Sequence, residues 1–468
     1  MAEKKYNILK AASWYTIGNV MIKGVSFFVL PIFTHLMNTH EYGVYSVYSS
    51  YLSIIGTIVL LGLSSTVAVA RYAKEVEFES YISTILIIPL AMTLLGILGV
   101  HLYIPLCGDI LSMNLVLWDC LLVSSATGAV CGIISARLVI DGKYMLYMAY
   151  SGIHTIGNVL ISLILCYTFF YDHDVHLARI YGSTLSNLVA VAFLLIATKT
   201  KFSIRKVCFK YAFIWGIPLL FHTLATVVLT QSDRIIIRYM DSYSAAGIYA
   251  VATTVVTIPL VIQQSFSQAW IPWFYGKLEN KEYERIRWLN NRYIIGFGVI
   301  IACFMLVAPD IIHIFTEKSY WGSAYSLVPL AVSIFGELLY SIPVSVEYYA
   351  RRTNFIMTAT LISVVINVAL DIVFVQLWGY HGAAYATILS KLLLFIIHYK
   401  FSRKLERESI FSNIVVLSCI VVLFIINVLV LLSIDIYLIR YCIVVFLVIP
   451  VLVYVVKNRV ALIKGFRN

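Results

Sequence analysis

The chain has 468 residues, of which 61% are hydrophobic and only 12% are charged, and its formal net charge is +11. The charged fraction is about half that of an ordinary soluble domain, which excludes a cytosolic enzyme, a secreted domain and a disordered protein. Long apolar runs, rather than short alternating segments, predict an all-α polytopic membrane protein, because lipid-exposed backbone must satisfy its own hydrogen bonds.

Taken in chain order, apolar runs of the ~20 residues that a transmembrane helix needs predict fourteen spans. They lie at about 13–36, 44–69, 82–105, 113–135, 147–170, 178–198, 211–231, 245–270, 293–316, 325–349, 355–377, 382–401, 411–432 and 436–456. Pro218, Pro259 and Pro343 lie inside spans and predict bends in those helices. The longest polar connection runs from about Gly276 to Arg292, so the sequence predicts no soluble catalytic domain and no enzyme activity.

The basic residues are concentrated on one side of this predicted topology. With the N-terminus in the cytoplasm, 27 of the 34 Lys and Arg residues fall on the cytoplasmic side. This asymmetry follows the positive-inside rule and predicts that both termini are cytoplasmic. The net charge therefore indicates membrane topology rather than a nucleic-acid partner. The eight cysteines are scattered without metal-like spacing, so no disulfide framework, metal site or cofactor is predicted.

Short motifs indicate an internal duplication. The segment EYGVYSV at 41–47 follows the first span, and AAGIYAV at 245–251 follows the seventh, at an offset of 204 residues. Six is an even number of spans, so the two halves would keep the same orientation and be related by a pseudo-two-fold axis along the membrane normal. The sequence thus predicts two six-helix lobes, at 1–206 and 207–406, that flank a cavity, and two additional helices within 407–468.

Polar side chains recur at helical spacing inside several spans. An ionisable group at membrane depth costs about 2.5–3.5 kcal/mol on insertion scales and usually faces a cavity or a partner. Asn19 and Lys23 share one face of the first span, and Glu337 lies on a serine stripe in the tenth. Asp371 and Lys391 lie in the eleventh and twelfth spans. Hydroxyl and amide groups of this kind either line a transport cavity or join helices.

One ion pair is predicted from proximity along the chain, and a second stays open. Glu347 and Arg351 are four residues apart, so they are expected to pair on one helix face. Asp371 and Lys391 lie in consecutive spans, and two interpretations of them stay open. They form a structural ion pair, or each has its own role in transport.

Several segments resemble one known family. They are KAASWYTIGN at 10–19, PIFTHL at 31–36, EYGVY at 41–45, SDRIII at 232–237 and AGIYA at 246–250. These segments are similar to the polysaccharide flippases of the Wzx type, in the MATE/MurJ-like MOP superfamily. The resemblance covers the first twelve spans, and the last two match the longer family members. It implies a bacterial inner-membrane protein that flips undecaprenyl-pyrophosphate-linked oligosaccharide for surface polysaccharides such as the O-antigen of lipopolysaccharide.

The resemblance also implies a binding site. A cationic and polar cavity would suit the anionic pyrophosphate, and its candidate residues are Lys23, Asn19, Arg71, Arg234 and Lys391. Coupling to H⁺ or Na⁺ through a buried acid is implied for the superfamily, with Asp371 and Glu337 as candidates. The expected partners are the lipid-linked oligosaccharide, the bilayer and the polysaccharide polymerase machinery.

Two alternative functions stay open at this point. A MATE-like ion-coupled exporter of small molecules would have the same fold, and a resistance phenotype with normal polysaccharide would favour it. A membrane-embedded polysaccharide polymerase is the second alternative. The short outer loops of this chain disfavour it, because polymerases of that kind carry a large outer loop.

Overall fold

The computed structural model of the chain describes residues 25, 27–107, 113–171, 173–200, 203–406 and 408–467. Regular structure in these residues is entirely helical. Twelve helical segments are long and apolar enough to cross a membrane, and two shorter apolar helices, Phe27–Leu36 and Tyr437–Pro450, match the first and last predicted spans. All fourteen predicted spans are therefore represented by helices, and the chain is an all-α, multi-pass membrane protein.

The chain divides into two compact units, Met1–Ile235 and Ile236–Asn468. The first unit contains α1 Phe27–Leu36, α2 Thr39–Leu60, α3 Leu63–Ala70, α4 Phe78–Ile85, α5 Ile87–Cys107, α6 Leu115–Ile140, α7 Tyr144–Thr168, α8 Val175–Thr198 and most of α9 Lys206–Met240. Its buried core includes Leu63, Val67, Ile82, Ile134 and Leu194 from four of these helices.

The second unit begins within the last turns of α9. It contains α10 Tyr243–Val255, α11 Thr257–Glu279, α12 Tyr283–Phe315, a 3₁₀ helix Lys318–Ser323, α13 Ala324–Tyr349, α14 Thr353–Trp378, α15 Tyr380–Leu405, α16 Asn413–Leu432 and α17 Tyr437–Arg467. Within this unit α13 packs closely against α15, and α14 packs against α15 as well. These three helices carry Glu337, Glu347, Asp371 and Lys391.

The repeat found in the sequence recurs in the helix boundaries. Helix α2 begins at Thr39 and α10 begins at Tyr243, which preserves the offset of 204 residues. Each start has a side-chain cap: the Asn38 Oδ1 atom accepts from the Glu41 N–H at 2.9 Å, and the Ser242 Oγ atom accepts from the Ala245 N–H at 3.1 Å. Caps of this kind satisfy backbone donors that the first helical turn leaves free. The equivalent spans therefore begin by the same local chemistry.

The second span of each predicted six-helix lobe is broken, but for different local reasons. Helix α2 ends where Leu61 and Gly62 take positive φ values of 52° and 68°. Helix α10 gives way to α11 at Val256, and Pro259 lies in the first turn of α11, where its missing N–H costs nothing. Pro259 thus follows a break between two helices rather than bending one continuous helix. Pro218 and Pro343 lie inside α9 and α13, as the sequence placed them.

Gly62 and Gly216 allow two backbones to meet in the first unit. A Cβ atom at Gly62 would lie 2.7 Å from the Gly216 carbonyl oxygen, and one at Gly216 would lie 2.7 Å from the Leu61 carbonyl oxygen. Either distance is too short for a real side chain, and the positive φ of Gly62 adds strain for any other residue. The break after α2 is therefore held directly against α9.

Candidate functional site

An ion pair connects α13 and α15 in the second unit. The Lys391 Nζ atom donates to the Glu337 Oε2 atom, and the two side chains are 15% and 27% exposed. Gly336 permits this approach, because a Cβ atom there would lie only 3.0 Å from the Lys391 Cβ atom. The two charges of the pair cancel, whereas burying either charge alone in the membrane would cost free energy.

The structural pairing of Lys391 with Asp371 that the sequence suggested is wrong, since Lys391 pairs with Glu337. The suggestion considered consecutive helices, α14 and α15, but α13 packs along α15 as well and brings its own carboxylate to the lysine. A candidate substrate-binding cation and a candidate coupling acid are therefore the two partners of one ion pair.

A buried polar face on α14 lies beside this pair. Ser363, Asn367 and Asp371 recur every four residues, and each is at most 2% exposed. The Asn367 Nδ2 atom donates to the Ser390 Oγ atom of α15 at 3.3 Å, and Ser390 directly precedes Lys391. These three residues thus form an interior face of the second unit, with the Asp371 carboxylate one turn beyond the amide of Asn367.

A second acidic side chain of α13 is fully buried. Glu347 lies 2.8 Å from the Nδ1 atom of His398 on α15, and both side chains are 0% exposed. The predicted pair of Glu347 with Arg351 is wrong. Glu347 lies two residues before the end of α13 and contacts His398 of α15. Arg351 lies beyond the end of α13 and has a positive φ of 57°. An i,i+4 pair needs a continuous helix through both residues.

The remaining candidates belong to the first unit. Arg71 follows α3, is exposed and lies over the Phe78 ring at 4.7 Å. Arg234 is half-buried on α9, and its Nη1 atom donates to the Gln231 Oε1 atom at 3.4 Å. The candidates Asn19 and Lys23 lie outside the described residues. Among the predicted site residues that the structure describes, Glu337 and Lys391 are in direct contact.

The sequence missed an apolar groove in the second unit. Helices α12, α16 and α17 line a cavity of about 210 Å³. Its lining is apolar apart from the Ser418 hydroxyl and the Cys419 thiol, and it includes Gly298, Ala302 and Leu447. The small residues on α12 create this space because they leave room beside α16. Their spacing of four, Gly298 to Ala302, was the available sequence signal.

A buried ion pair anchors α17 beside this groove. Two guanidinium nitrogens of Arg440 each donate to a carboxylate oxygen of Asp310 on α12 at 2.8 Å, and Nη1 also donates to the Leu306 carbonyl oxygen at 2.8 Å. Arg440 is only 2% exposed. Hydropathy does not reveal this pairing, because the two residues lie 130 positions apart in the chain.

Comparison with known proteins gives relatives of similar length. Lsg locus putative protein 1 of Haemophilus influenzae is 24% identical over 410 residues, which cover 86% of this chain and 99% of that protein. An uncharacterized membrane protein of the same organism is 25% identical over 424 residues, which cover 86% of this chain and 98% of that protein.

Two solved structures share the fold. The lipid II flippase MurJ, in an inward closed conformation, has a TM-score of 0.73 at 16% identity and covers 96% of this chain and 99% of that one. An inward-facing multidrug resistance MATE family transporter of the MOP superfamily has a TM-score of 0.68 at 14% identity. The match covers 84% of this chain and 97% of that one. At such identities the likeness concerns the fold alone.

A family model described as polysaccharide biosynthesis protein matches residues 8–278, which is more than half of the chain. The match includes the whole of the first unit's described helices and the opening helices of the second. It agrees with the segments that resemble polysaccharide flippases. The chain belongs to the polysaccharide biosynthesis protein family.

Proposed function

We propose that this protein flips undecaprenyl-pyrophosphate-linked oligosaccharide repeat units across the bacterial inner membrane by alternating access. Membership of the polysaccharide biosynthesis family supports the pathway, and the likeness to the lipid II flippase MurJ supports a fold compatible with lipid transport. The product would feed surface polysaccharide synthesis, of which O-antigen is one form, and hand repeat units to a polymerase.

The apolar groove of the second unit is the observation that favours a lipid-linked substrate. A groove of about 210 Å³ along α12, α16 and α17 suits part of a polyprenyl chain, which is apolar and gains little from polar contacts. A water-soluble small molecule would need polar groups there to fix its orientation. The groove therefore favours a lipid-linked cargo over a soluble one.

The polar groups complete the proposal. The cations Lys23, Arg71, Arg234 and Lys391, with the amide of Asn19, remain the candidates for the pyrophosphate. Because Glu337 is committed to Lys391, Asp371 is the coupling acid to test first. Both termini are proposed to be cytoplasmic, as the distribution of basic residues indicates.

Complementation of a flippase-deficient strain tests the function. Val422 lines the groove on α16, so Val422→Trp fills the space that the polyprenyl chain would occupy. We expect wild-type protein to restore surface polysaccharide and Val422→Trp to reduce it roughly tenfold, the effect of losing about 1.4 kcal/mol of binding. Lipid-linked repeat units would then accumulate on the cytoplasmic leaflet.

Leu417→Trp is the matched control, because Leu417 lies on the same helix, is 64% exposed and does not line the groove. It should complement as the wild type does. Equal activity of the two variants would contradict a role of the groove. Failure of the wild-type chain to restore polysaccharide, together with a gain in drug resistance, would instead favour a MATE-like exporter.

A further inference from the structure

A small polar pocket lies within the first unit, apart from the groups considered so far. Helices α1, α2, α7 and α8 line a cavity of about 150 Å³. Its polar lining consists of Tyr45, His154, Thr155, Asn158 and Arg179. The remaining lining is formed by Val25, Val29 and Val159. No acidic side chain is part of the described lining, so the pocket carries the positive charge of Arg179 alone among groups that are charged at every physiological pH.

Two aromatic rings lie against the Arg179 guanidinium. Its central carbon lies 3.8 Å from the centre of the Phe33 ring and 5.2 Å from that of Tyr45. Such stacking fixes the plane of the guanidinium and leaves hydrogen bonding to its N–H edge. The Nη1 atom is nevertheless buried without a hydrogen-bond partner among the described residues.

The acidic side chain closest in sequence to this region has other partners. Glu41 accepts from the backbone N–H groups of Val175 at 2.9 Å and Asn38 at 3.2 Å, and lies 3.7 Å from His176. None of the ion pairs formed within the described part of the chain includes Arg179. A cation with a buried guanidinium nitrogen and no carboxylate partner is unusual, because such groups normally pair with a counter-charge or serve a ligand.

A second group in the pocket has an unused hydrogen bond. The Thr155 Oγ1 atom is buried and lacks a partner among the described residues. Thr155 and Asn158 are three residues apart on α7, so they lie on the same side of that helix. Stacking of Arg179 on two rings would explain its role as a contact between helices, but it would not explain two buried polar groups left unsatisfied in one pocket.

We propose that this pocket binds an oxyanion, a phosphate or a carboxylate group, through Arg179. The guanidinium N–H edge supplies charge-assisted hydrogen bonds, and the Thr155 hydroxyl and the Asn158 amide supply further donors. A cavity of about 150 Å³ holds a single such group rather than a whole lipid-linked oligosaccharide. The oxyanion belongs to a pyrophosphate, an acidic sugar or a phospholipid headgroup, and these sources are separated by the test.

The test measures binding to the purified full chain in an uncharged detergent by calorimetric titration. Inorganic pyrophosphate and glucuronate are titrated separately, and a third arm compares thermal stability in phosphatidylcholine nanodiscs with and without phosphatidylglycerol. We expect saturable binding in at least one arm and a loss of about 10- to 100-fold in Arg179→Met, as for removal of a charge-assisted hydrogen bond. The arm that responds to Arg179 identifies the source of the oxyanion.

Two further variants keep the outcome decisive. Thr155→Val conserves shape and should weaken the same binding several-fold, even where Arg179→Met fails to fold. Arg205→Met is the matched control, because Arg205 lies on the exposed surface of the same unit and pairs with Glu77 at 3.1 Å. Equal binding by the wild type, Arg179→Met and Thr155→Val would overturn the assignment, as would the absence of binding in all three arms. The assignment does not depend on the proposed function, since binding is measured without transport.

Discussion

Glu337 and Lys391 are 54 residues apart in the chain and meet across α13 and α15. Both can be recognised in the sequence, because a charged residue stands out inside an apolar run. Their pairing cannot, since it depends on which two helices pack together and on how each is rotated about its axis. The close packing at Gly336, where an added Cβ atom would crowd Lys391, is the contact that decides it.

Breaking the Glu337–Lys391 pair should destabilise the protein more than removing it. Lys391→Met leaves the carboxylate of Glu337 without its partner, and we expect the free energy of unfolding to fall by about 2 kcal/mol or more. Adding Glu337→Gln to that variant should recover part of the loss. Denaturation of the four proteins in detergent, analysed as a double-mutant cycle, measures the coupling.

Lys400→Met provides the control for that cycle, since Lys400 is an exposed residue on the same helix. It should leave the unfolding midpoint unchanged. Strictly additive effects of Lys391→Met and Glu337→Gln would mean that the pair contributes no coupling energy.

Helix positions could be predicted well from hydropathy, whereas helix breaks and attachments could not. Each of the fourteen apolar runs corresponds to a helix because span length is set by the bilayer. The break at Leu61 and Gly62 depends on the contact with Gly216, a residue in a distant helix. The attachment of α17 depends likewise on Asp310, which sequence analysis did not single out.

Arg440 should determine how firmly α17 is held against α12. Arg440→Met removes three hydrogen bonds and leaves the Asp310 carboxylate without its partner, so we expect local opening of α17 to become easier by about 3 kcal/mol. Amide hydrogen exchange should then accelerate in the residues of α17 while exchange in α2 stays unchanged. Unaltered exchange in α17 would show that apolar packing alone holds this helix.

For the molecule as a whole, the fold class and the family could be anticipated, but the contacts of the candidate site could not. Composition identifies a multi-pass membrane protein, and diffuse motifs such as EYGVY at 41–45 identify the family. The polar stripe with Asn367 and Asp371 could be read as one helix face from its spacing of four. That this face is buried against Ser390 follows only from the packing of α14 on α15.

Transport by the proposed flippase should depend on Asp371 when an ion gradient drives it. Asp371→Asn keeps the shape of the side chain but removes the charge that would bind H⁺ or Na⁺. In vesicles with an imposed gradient, we expect translocation of lipid-linked oligosaccharide to slow about tenfold or more, as for a loss of about 1.4 kcal/mol. Leaflet-specific labelling of the oligosaccharide measures the rate.

Asp435→Asn serves as the control, because Asp435 is exposed in the connection between α16 and α17. It should transport as the wild type does under either gradient. If the transport rate is independent of both gradients and is the same in the wild type and in Asp371→Asn, the coupling proposal is wrong and the flippase is passive.

The Glu337–Lys391 pair also bears on how the protein enters the membrane during synthesis. Helix α13 leaves the ribosome before α15, so for a time Glu337 exists without its lysine. Of the twelve long candidate spans in the described residues, the segment that contains Lys391, Tyr380–Leu405, is the least apolar. A carboxylate already at membrane depth would offset much of the ~2.5–3.5 kcal/mol cost of inserting a lysine. The order of the helices along the chain thus means that the Glu337 carboxylate of α13 is synthesised before the Lys391 ammonium of α15 that it neutralises.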